Sequence, residues 1–76
     1  MISLAILIDF GSTFTKVTAV DLAQAAVLGR SQAPSTVLTD VREGLLLALG
    51  QLHERYALFD RPPQDLSVLE GKLVLA

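Results

Sequence analysis

The sequence predicts a small α/β domain in which three strands, one helix and a fourth strand follow one another along the chain. Three observations support this order. A nearly continuous apolar run covers Ile2–Asp9, a segment rich in Thr and Val covers Phe14–Asp21, and apolar residues recur at helical spacing over Val41–Leu58. Hydrophobic periodicity and β-branched enrichment are the main sequence signals that distinguish helices from strands. The 76 residues are enough for one small domain.

The first two strands are predicted to pair as a hairpin. Continuous rather than alternating hydrophobicity over Ile2–Asp9 is typical of a strand that is buried on both faces. The turn-prone segment Phe10–Thr13 separates this strand from the second one, Phe14–Asp21, so a tight glycine-containing turn is expected between them. A third strand is predicted over Ala25–Ala33.

The helix is predicted to cover Val41–Leu58. Asp40, with Glu43 three residues later, resembles a capping box that uses Asp in place of Ser or Thr. The segment Asp60–Pro63 contains two prolines and ends the helix. Leu73–Ala76 is predicted to begin a fourth strand, and we expect the natural chain to continue beyond it. The order β-β-β-α-β is that of the opening of a ribonuclease-H-like α/β domain.

Composition and charge exclude several classes of function. The formal net charge is −2, and the six Lys and Arg residues are scattered singly, which disfavours nucleic acid or an anionic membrane surface as a partner. The absence of cysteine excludes a disulfide scaffold and a thiolate metal site, and it suits a reducing cytoplasm. The early apolar run is much shorter than the roughly 20 residues of a membrane span. We therefore expect a cytoplasmic protein with no nucleic-acid or membrane partner.

The balance of apolar and charged residues is unusual for so short a chain. Hydrophobic residues make up 51% and charged residues 18%, although a domain of this size buries only about 60% of its unfolded surface. Part of this apolar surface is therefore expected to be covered by more protein. We expect the isolated chain to self-associate through an exposed strand and an apolar helix face.

The first hairpin contains the residue types that phosphate binding needs. Gly11 lets backbone amides approach an anion closely, Ser12 and Thr13 add hydroxyl donors, and Lys16 adds a positive charge. A carboxylate at Asp9 would repel phosphate unless a cation lay between them, so Asp9 is predicted to hold Mg²⁺ through water molecules. The competing interpretation is an ordinary hairpin turn, because turns favour the same residue types.

Other candidate residues have structural interpretations. His53 lies near the polar edge of the helix without visible metal-binding partners. Asp21 is predicted to be a turn residue, with a role near the metal as the alternative. Ser35 and Thr36 are predicted to cap or turn the chain, because no base is evidently placed to activate a nucleophile. The P-loop and dinucleotide glycine motifs are both absent from the sequence.

Two segments resemble known families. Ile8–Asp21 resembles the first phosphate hairpin of the actin-like ATPase superfamily. Within that superfamily, Gln32–Val37, followed by Thr39–Val41 and Gly44, resembles the glutamate mutase L (MutL) family. This resemblance covers most of residues 4–52. The hairpin indicates the superfamily, and the segment after the third strand indicates the smaller family.

The resemblance implies a two-lobed ATPase with nucleotide in the cleft, of which residues 1–76 would be one incomplete N-terminal part. Gly11, Ser12, Thr13 and Lys16 would contact the phosphates of ATP, and Asp9 would hold Mg²⁺. The second phosphate loop, the adenosine pocket and the second lobe are absent from this sequence. We therefore expect the 76-residue chain alone not to hydrolyse ATP.

The resemblance also implies a partner. Members of the family are similar to reactivating chaperones that accompany adenosylcobalamin-dependent mutases, so mutase subunits are expected partners beside the nucleotide. Two alternatives stay open at this point. One is a fragment of a small-molecule kinase or of a 2-hydroxyacyl-CoA dehydratase activator with the same hairpin. The other is an interaction module without nucleotide binding.

Overall fold

The structure is a computed structural model that describes residues 4–36 and 39–76. It contains a four-stranded mixed sheet with one α-helix packed on one face. The predicted element order β-β-β-α-β is confirmed, and it is consistent with the ribonuclease-H-like fold that the sequence predicted. The elements are β1 (Leu4–Phe10), β2 (Phe14–Asp21), β3 (Ala26–Pro34), α1 (Val41–Tyr56), a 3₁₀ helix (Leu66–Leu69) and β4 (Leu73–Leu75). In the part of the chain described, no helix is long and apolar enough to cross a membrane.

The strands lie in the order β3-β2-β1-β4. The pairs β1–β2 and β2–β3 are antiparallel, whereas β4 runs parallel to β1 after the chain has crossed over through α1. A parallel neighbour requires such a crossover, because a tight turn can join only antiparallel strands. A register shift between Ala19 and Val20 marks an irregularity in the β2–β3 pair.

The hydrophobic core lies beneath α1, which packs chiefly on β3 and β2, and it extends to β1. Ile6 from β1 and Val17 from β2 are fully buried, and so are Leu49 and Leu52 from α1. Burying an aliphatic side chain of this size stabilises the fold by about 1.5–3 kcal/mol relative to leaving it exposed. This layer therefore fixes which face of each strand points toward α1.

The opposite face of the sheet is more open than the sequence predicted. Ala5 and Ile6, on opposite faces of β1, are both buried, but Leu7 is 37% exposed and Phe10 is 43% exposed. The prediction that the first strand is buried on both faces is thus correct for only part of its length. The reason is that, among the described residues, α1 covers one face alone. The predicted start of this strand at Ile2 lies outside the described residues.

Helix α1 begins where the sequence predicted and ends two residues earlier. Ala57 adopts a left-handed conformation (φ 51°, ψ 47°), and its N–H donates to the His53 carbonyl oxygen at 2.7 Å. A left-handed residue at this position closes the last turn. The predicted end at Leu58 is therefore wrong, because the helix stops at Tyr56 and does not extend toward the prolines. Strand β3 is displaced by one residue from its prediction.

Asp40 caps the N-terminus of α1, as predicted. Its carboxylate accepts a hydrogen bond from the Arg42 amide at 2.9 Å and forms an ion pair with the Arg42 guanidinium at 2.6 Å. These hydrogen bonds from Arg42 lower the pKa of Asp40 to about 2. The Glu43 carboxylate accepts from the Thr39 hydroxyl at 3.3 Å. Asp40 and Glu43 are therefore helix-end residues, but the predicted capping box is only half formed, because the Glu43 side chain accepts from the Thr39 hydroxyl and not from the Asp40 amide.

Two glycines allow α1 to approach β3 closely. A Cβ atom added at Gly44 would lie 2.7 Å from the Pro34 carbonyl oxygen. At the other end of the helix, a Cβ atom at Gly29 would lie 2.4 Å from Cδ2 of Tyr56, so the Tyr56 ring packs directly over the glycine. Gly50 differs, because a Cβ atom there would meet nothing within 4 Å.

These contacts predict opposite effects for two glycine substitutions in the same helix. Gly44→Ala should destabilise the chain by about 1–3 kcal/mol, because backbone must move to admit the new methyl group. Gly50→Ala, the matched control, should stabilise it by about 0.5–1 kcal/mol, because alanine restricts the unfolded chain and fits the helix. Urea denaturation of both variants measures the two free energies. Equal effects of the two substitutions would contradict the close approach at Gly44.

Candidate functional site

A three-residue turn joins β1 to β2. The last strand pair is Phe10 with Thr15, and the turn is closed by a hydrogen bond from the Gly11 N–H to the Phe14 carbonyl oxygen at 3.0 Å. A Cβ atom at Gly11 would lie 2.6 Å from that same oxygen. Glycine is therefore required here by the close approach of backbone to backbone.

Asp9 and Lys16 are direct partners across the β1–β2 pair. Directly opposite residues of an antiparallel pair project from the same face of the sheet. Their neighbours Ile8 and Val17 are buried beneath α1, so alternation places Asp9 and Lys16 on the opposite, open face. Both residues are exposed. A carboxylate and an ammonium group thus share the open face beside the turn.

Ser12 and Thr13 form the exposed tip of the turn, and Gly11 is half-buried beside them. The structure therefore brings the five predicted site residues together at one end of the sheet. We name this group the hairpin patch; its members are Asp9, Gly11, Ser12, Thr13 and Lys16.

The donor chemistry of the hairpin patch fits a hard cation bound together with an anion. The Asp9 carboxylate offers the oxygen ligand that Mg²⁺ prefers, and Mg²⁺ in phosphate sites is commonly held by one or two carboxylates with waters and phosphate oxygens. No group of three or more His, Asp or Glu residues within residues 4–36 and 39–76 could hold a metal ion by itself. Asp9 is thus suited to share a metal with a ligand.

Ser35 braces the turn from behind, a role that the sequence did not indicate. Its hydroxyl donates to the Gly11 carbonyl oxygen at 2.6 Å, and its amide donates to the Thr13 carbonyl oxygen at 2.9 Å. Its Oγ also lies 3.1 Å from Oγ1 of the buried Thr15. These contacts join residues 20 to 24 positions apart. No local sequence pattern could have found them.

The next residue, Thr36, attaches the same segment to α1. Its hydroxyl donates to the Asp40 carbonyl oxygen at 2.5 Å and accepts from the Gly44 amide at 2.9 Å. Ser35 and Thr36 therefore lie between the turn of the first hairpin and the first turn of α1. The prediction that these two residues turn or cap the chain fits Thr36, whose carbonyl oxygen accepts from the Thr39 amide at 3.2 Å, whereas Ser35 bonds to the turn of the first hairpin.

Two other candidate residues have structural roles. Asp21 is buried, and its Oδ1 accepts from the Ala23 amide at 2.9 Å, so it is the turn residue that the sequence predicted. It pairs with Leu4, at the opposite end of β2 from the hairpin patch. His53 is half-buried, stacks on Phe59 with ring centroids 5.9 Å apart, and accepts from the Phe59 amide at 3.3 Å.

Comparison with known proteins identifies the family. The sequence model of the family described as MutL protein matches residues 5–69. This chain belongs to the MutL family. The glutamate mutase L resemblance found in the sequence is thereby confirmed. The match includes the hairpin patch, Ser35, Thr36 and the whole of α1.

A curated relative gives the same result. The chain is 38% identical over 50 residues to Protein MutL of Clostridium tetanomorphum. The alignment covers 66% of this chain and 11% of that protein, so the chain spans only a small part of its MutL relative. No solved structure matches the chain significantly.

The geometry of the turn predicts that Gly11 is essential for the shape of the hairpin. Gly11→Ala should destabilise the chain by about 1–3 kcal/mol, because its Cβ would overlap the Phe14 carbonyl oxygen. Ser12→Ala is the matched control in the same turn, and it should change stability by less than about 0.5 kcal/mol because that side chain is exposed. Urea denaturation and the chemical shift of the residue 11 amide, the donor in the bond that closes the turn, measure both variants. Wild-type stability of Gly11→Ala would contradict the closed turn.

Proposed function

We propose that this chain forms the phosphate-binding wall of an ATP site in an actin-like ATPase of the MutL family. The observation that carries the proposal is the pairing of Asp9 with Lys16 on the open face, beside a turn built on Gly11. Opposite charges beside backbone amides and small hydroxyl residues suit a phosphate chain that carries a metal. The same residue types with the two charges on different faces would not.

Each member of the hairpin patch has a distinct task in this proposal. The Lys16 ammonium neutralises phosphate oxygens with charge-assisted hydrogen bonds, which are about twice as strong as neutral ones. The hydroxyls and backbone amides of Ser12 and Thr13 donate to the same oxygens, because the Gly11 amide is already used to close the turn. Gly11 allows the tight backbone approach that closes the turn and so presents the tip residues.

Asp9 would hold Mg²⁺ in this site. When bound, Mg²⁺ neutralises phosphate charge and orients the phosphate chain. Without the cation, the carboxylate of Asp9 and the phosphates would repel each other. Asp9 therefore makes binding depend on the metal, while Lys16 attracts the phosphates directly.

The hairpin patch is one wall of a cleft. It lies on an open, solvent-accessible sheet face, where water competes for each hydrogen bond and weakens each charge pair. We propose that the opposite wall comes from a part of the intact protein outside these 76 residues. The 76-residue chain alone should bind Mg-ATP weakly and should not hydrolyse it.

We further propose that the intact protein accompanies an adenosylcobalamin-dependent glutamate or related amino acid mutase in the cytoplasm. Membership of the MutL family and similarity to Protein MutL of Clostridium tetanomorphum support this partner. ATP binding and hydrolysis would move the two lobes and remodel a mutase that has lost a functional cofactor. The protein would then act as a reactivating chaperone.

Mg-ATP binding and turnover by the intact protein test the ATP site. Lys16→Ala should weaken Mg-ATP binding by about 10- to 100-fold, the loss expected when a hydrogen bond to a charged group is removed. Asp9→Ala should lower ATP turnover at least about 100-fold, because the metal loses its protein ligand. Calorimetry gives the affinities, and phosphate release gives the turnover.

Asp60→Ala is the matched control, because Asp60 is an exposed carboxylate outside the hairpin patch. It should leave affinity and turnover unchanged. Normal turnover in Asp9→Ala would refute the metal role. If the unchanged intact protein bound no Mg-ATP, the hairpin would be an ordinary turn and the chain an interaction module.

Mutase reactivation tests the partner separately. Adding the intact protein to a mutase that carries inactivated cobalamin should restore mutase activity only when Mg-ATP is present, and Asp9→Ala should abolish the recovery. Recovery that did not depend on ATP would contradict the chaperone role. ATP turnover stimulated by a sugar or by a dehydratase, with no effect on the mutase, would favour the kinase or activator alternative.

A further inference from the structure

Three hydrogen bonds converge on Ser35 behind the first hairpin. A hydroxyl has one proton to give, and Ser35 gives its proton to the Gly11 carbonyl oxygen at 2.6 Å. In the hydrogen bond of 3.1 Å between the two hydroxyls, Oγ1 of Thr15 is then the donor and Oγ of Ser35 the acceptor. The Ser35 amide completes the set by donating to the Thr13 carbonyl oxygen at 2.9 Å. Both ends of the turn are thus held by one residue.

The direction of these bonds determines where one amide of the turn points. Thr15 is buried on the α1 side of the sheet, so the Ser35 hydroxyl that contacts it lies on that side as well. The Gly11 carbonyl therefore points toward the α1 side. In a planar trans peptide, the carbonyl and the following N–H point in opposite directions. The Ser12 N–H is consequently directed toward the open face, where Asp9 and Lys16 lie.

Ser35 is itself held in place by α1. The neighbouring Thr36 hydroxyl donates to the Asp40 carbonyl oxygen and accepts from the Gly44 amide. The backbone of α1 also lies so close to the Pro34 carbonyl oxygen that a Cβ atom at Gly44 would not fit. The position of the turn is thereby set relative to the first turn of the helix. The direction of the Ser12 amide does not depend on the turn residues alone.

We propose that Ser35 is a positioning residue of the phosphate site, because its hydroxyl on the Gly11 carbonyl directs the Ser12 amide toward the face that carries Lys16. This inference rests on the proposed function, since it assigns a role within the same site. Ser35 itself contacts no phosphate. It acts through the backbone of the turn.

Three variants of the intact protein test this role. Ser35→Ala removes the bracing hydroxyl, and Ser35→Thr keeps a hydroxyl at the same position. Ser31→Ala is the matched control, because Ser31 lies on β3, the strand that precedes Ser35, and its hydroxyl donates instead to the Ala48 carbonyl oxygen of α1 at 2.5 Å. Amide hydrogen exchange of the turn and the affinity for Mg-ATP are measured in each variant.

Ser35→Ala should raise the exchange rates of the turn amides and weaken Mg-ATP binding by about tenfold, the effect of one misdirected hydrogen bond to a charged ligand. Ser35→Thr should restore both properties to within about twofold of the unchanged protein. Ser31→Ala should lower stability by a similar amount, yet leave turn exchange and Mg-ATP affinity unchanged. This contrast separates positioning from a general loss of stability.

Several outcomes would overturn the proposal. The first is unchanged exchange of the turn amides in Ser35→Ala, whether or not nucleotide binds. The second is faster exchange in Ser35→Ala with an unchanged affinity for Mg-ATP. The third is a loss of Mg-ATP affinity in Ser31→Ala as large as the loss in Ser35→Ala. If Ser35→Ala fails to fold, Thr15→Val removes the donor to Ser35 and should produce a smaller change in the same amides. Absence of Mg-ATP binding by the unchanged protein would refute the proposed function, and the role of Ser35 with it.

Discussion

The hydrophobic core between α1 and one face of the sheet decides which side chains of β1 and β2 point inward. Ile6 and Val17 must face the same side as Leu49 and Leu52, because all four belong to one buried cluster and are the largest fully buried hydrophobic side chains among the described residues. Side chains of a strand alternate between faces, so a slip of one residue would expose the entire apolar set. Asp9 and Lys16 lie on the open face because their strand neighbours Ile8 and Val17 point into the core. The core thus determines which face of the sheet carries the two charges, and the position of the turn determines at which end of the sheet they lie.

The two charges of the hairpin patch contribute little to the stability of the chain. Both side chains are exposed, and exposed charge pairs stabilise proteins by only about 0–1 kcal/mol. Their interaction becomes strong only when water is excluded, which a bound ligand and a second wall would do. A carboxylate and an ammonium held on a strand pair, with backbone amides next to them, therefore support the proposed binding role, because they add little to folding. The turn between these two strands is braced by Ser35.

The hairpin and the start of the helix could be predicted from the sequence because local chemistry determines them. Asp9, Gly11 and Lys16 stand within eight residues of one another, and Asp40 caps the helix that it precedes. The end of α1 could not be predicted, because an alanine takes the left-handed conformation that glycine usually adopts. The bracing of the turn by Ser35 was also beyond prediction. It depends on the return of β3 to the level of the turn, which is a property of the sheet and not of any short segment.

The contact between Tyr56 and Gly29 gives this molecule a built-in optical reporter. The sequence contains one tyrosine and no tryptophan, and the tyrosine ring lies on the β3 backbone at the last turn of the helix. Its near-ultraviolet signal in the 76-residue chain therefore comes chiefly from a single place, the junction between the C-terminal end of α1 and the sheet. Separation of helix from sheet would change that signal without any label, whereas motion confined to the hairpin turn would leave it unaltered. Spectroscopy on the unlabelled chain can thus distinguish loosening of the core from rearrangement of the hairpin turn.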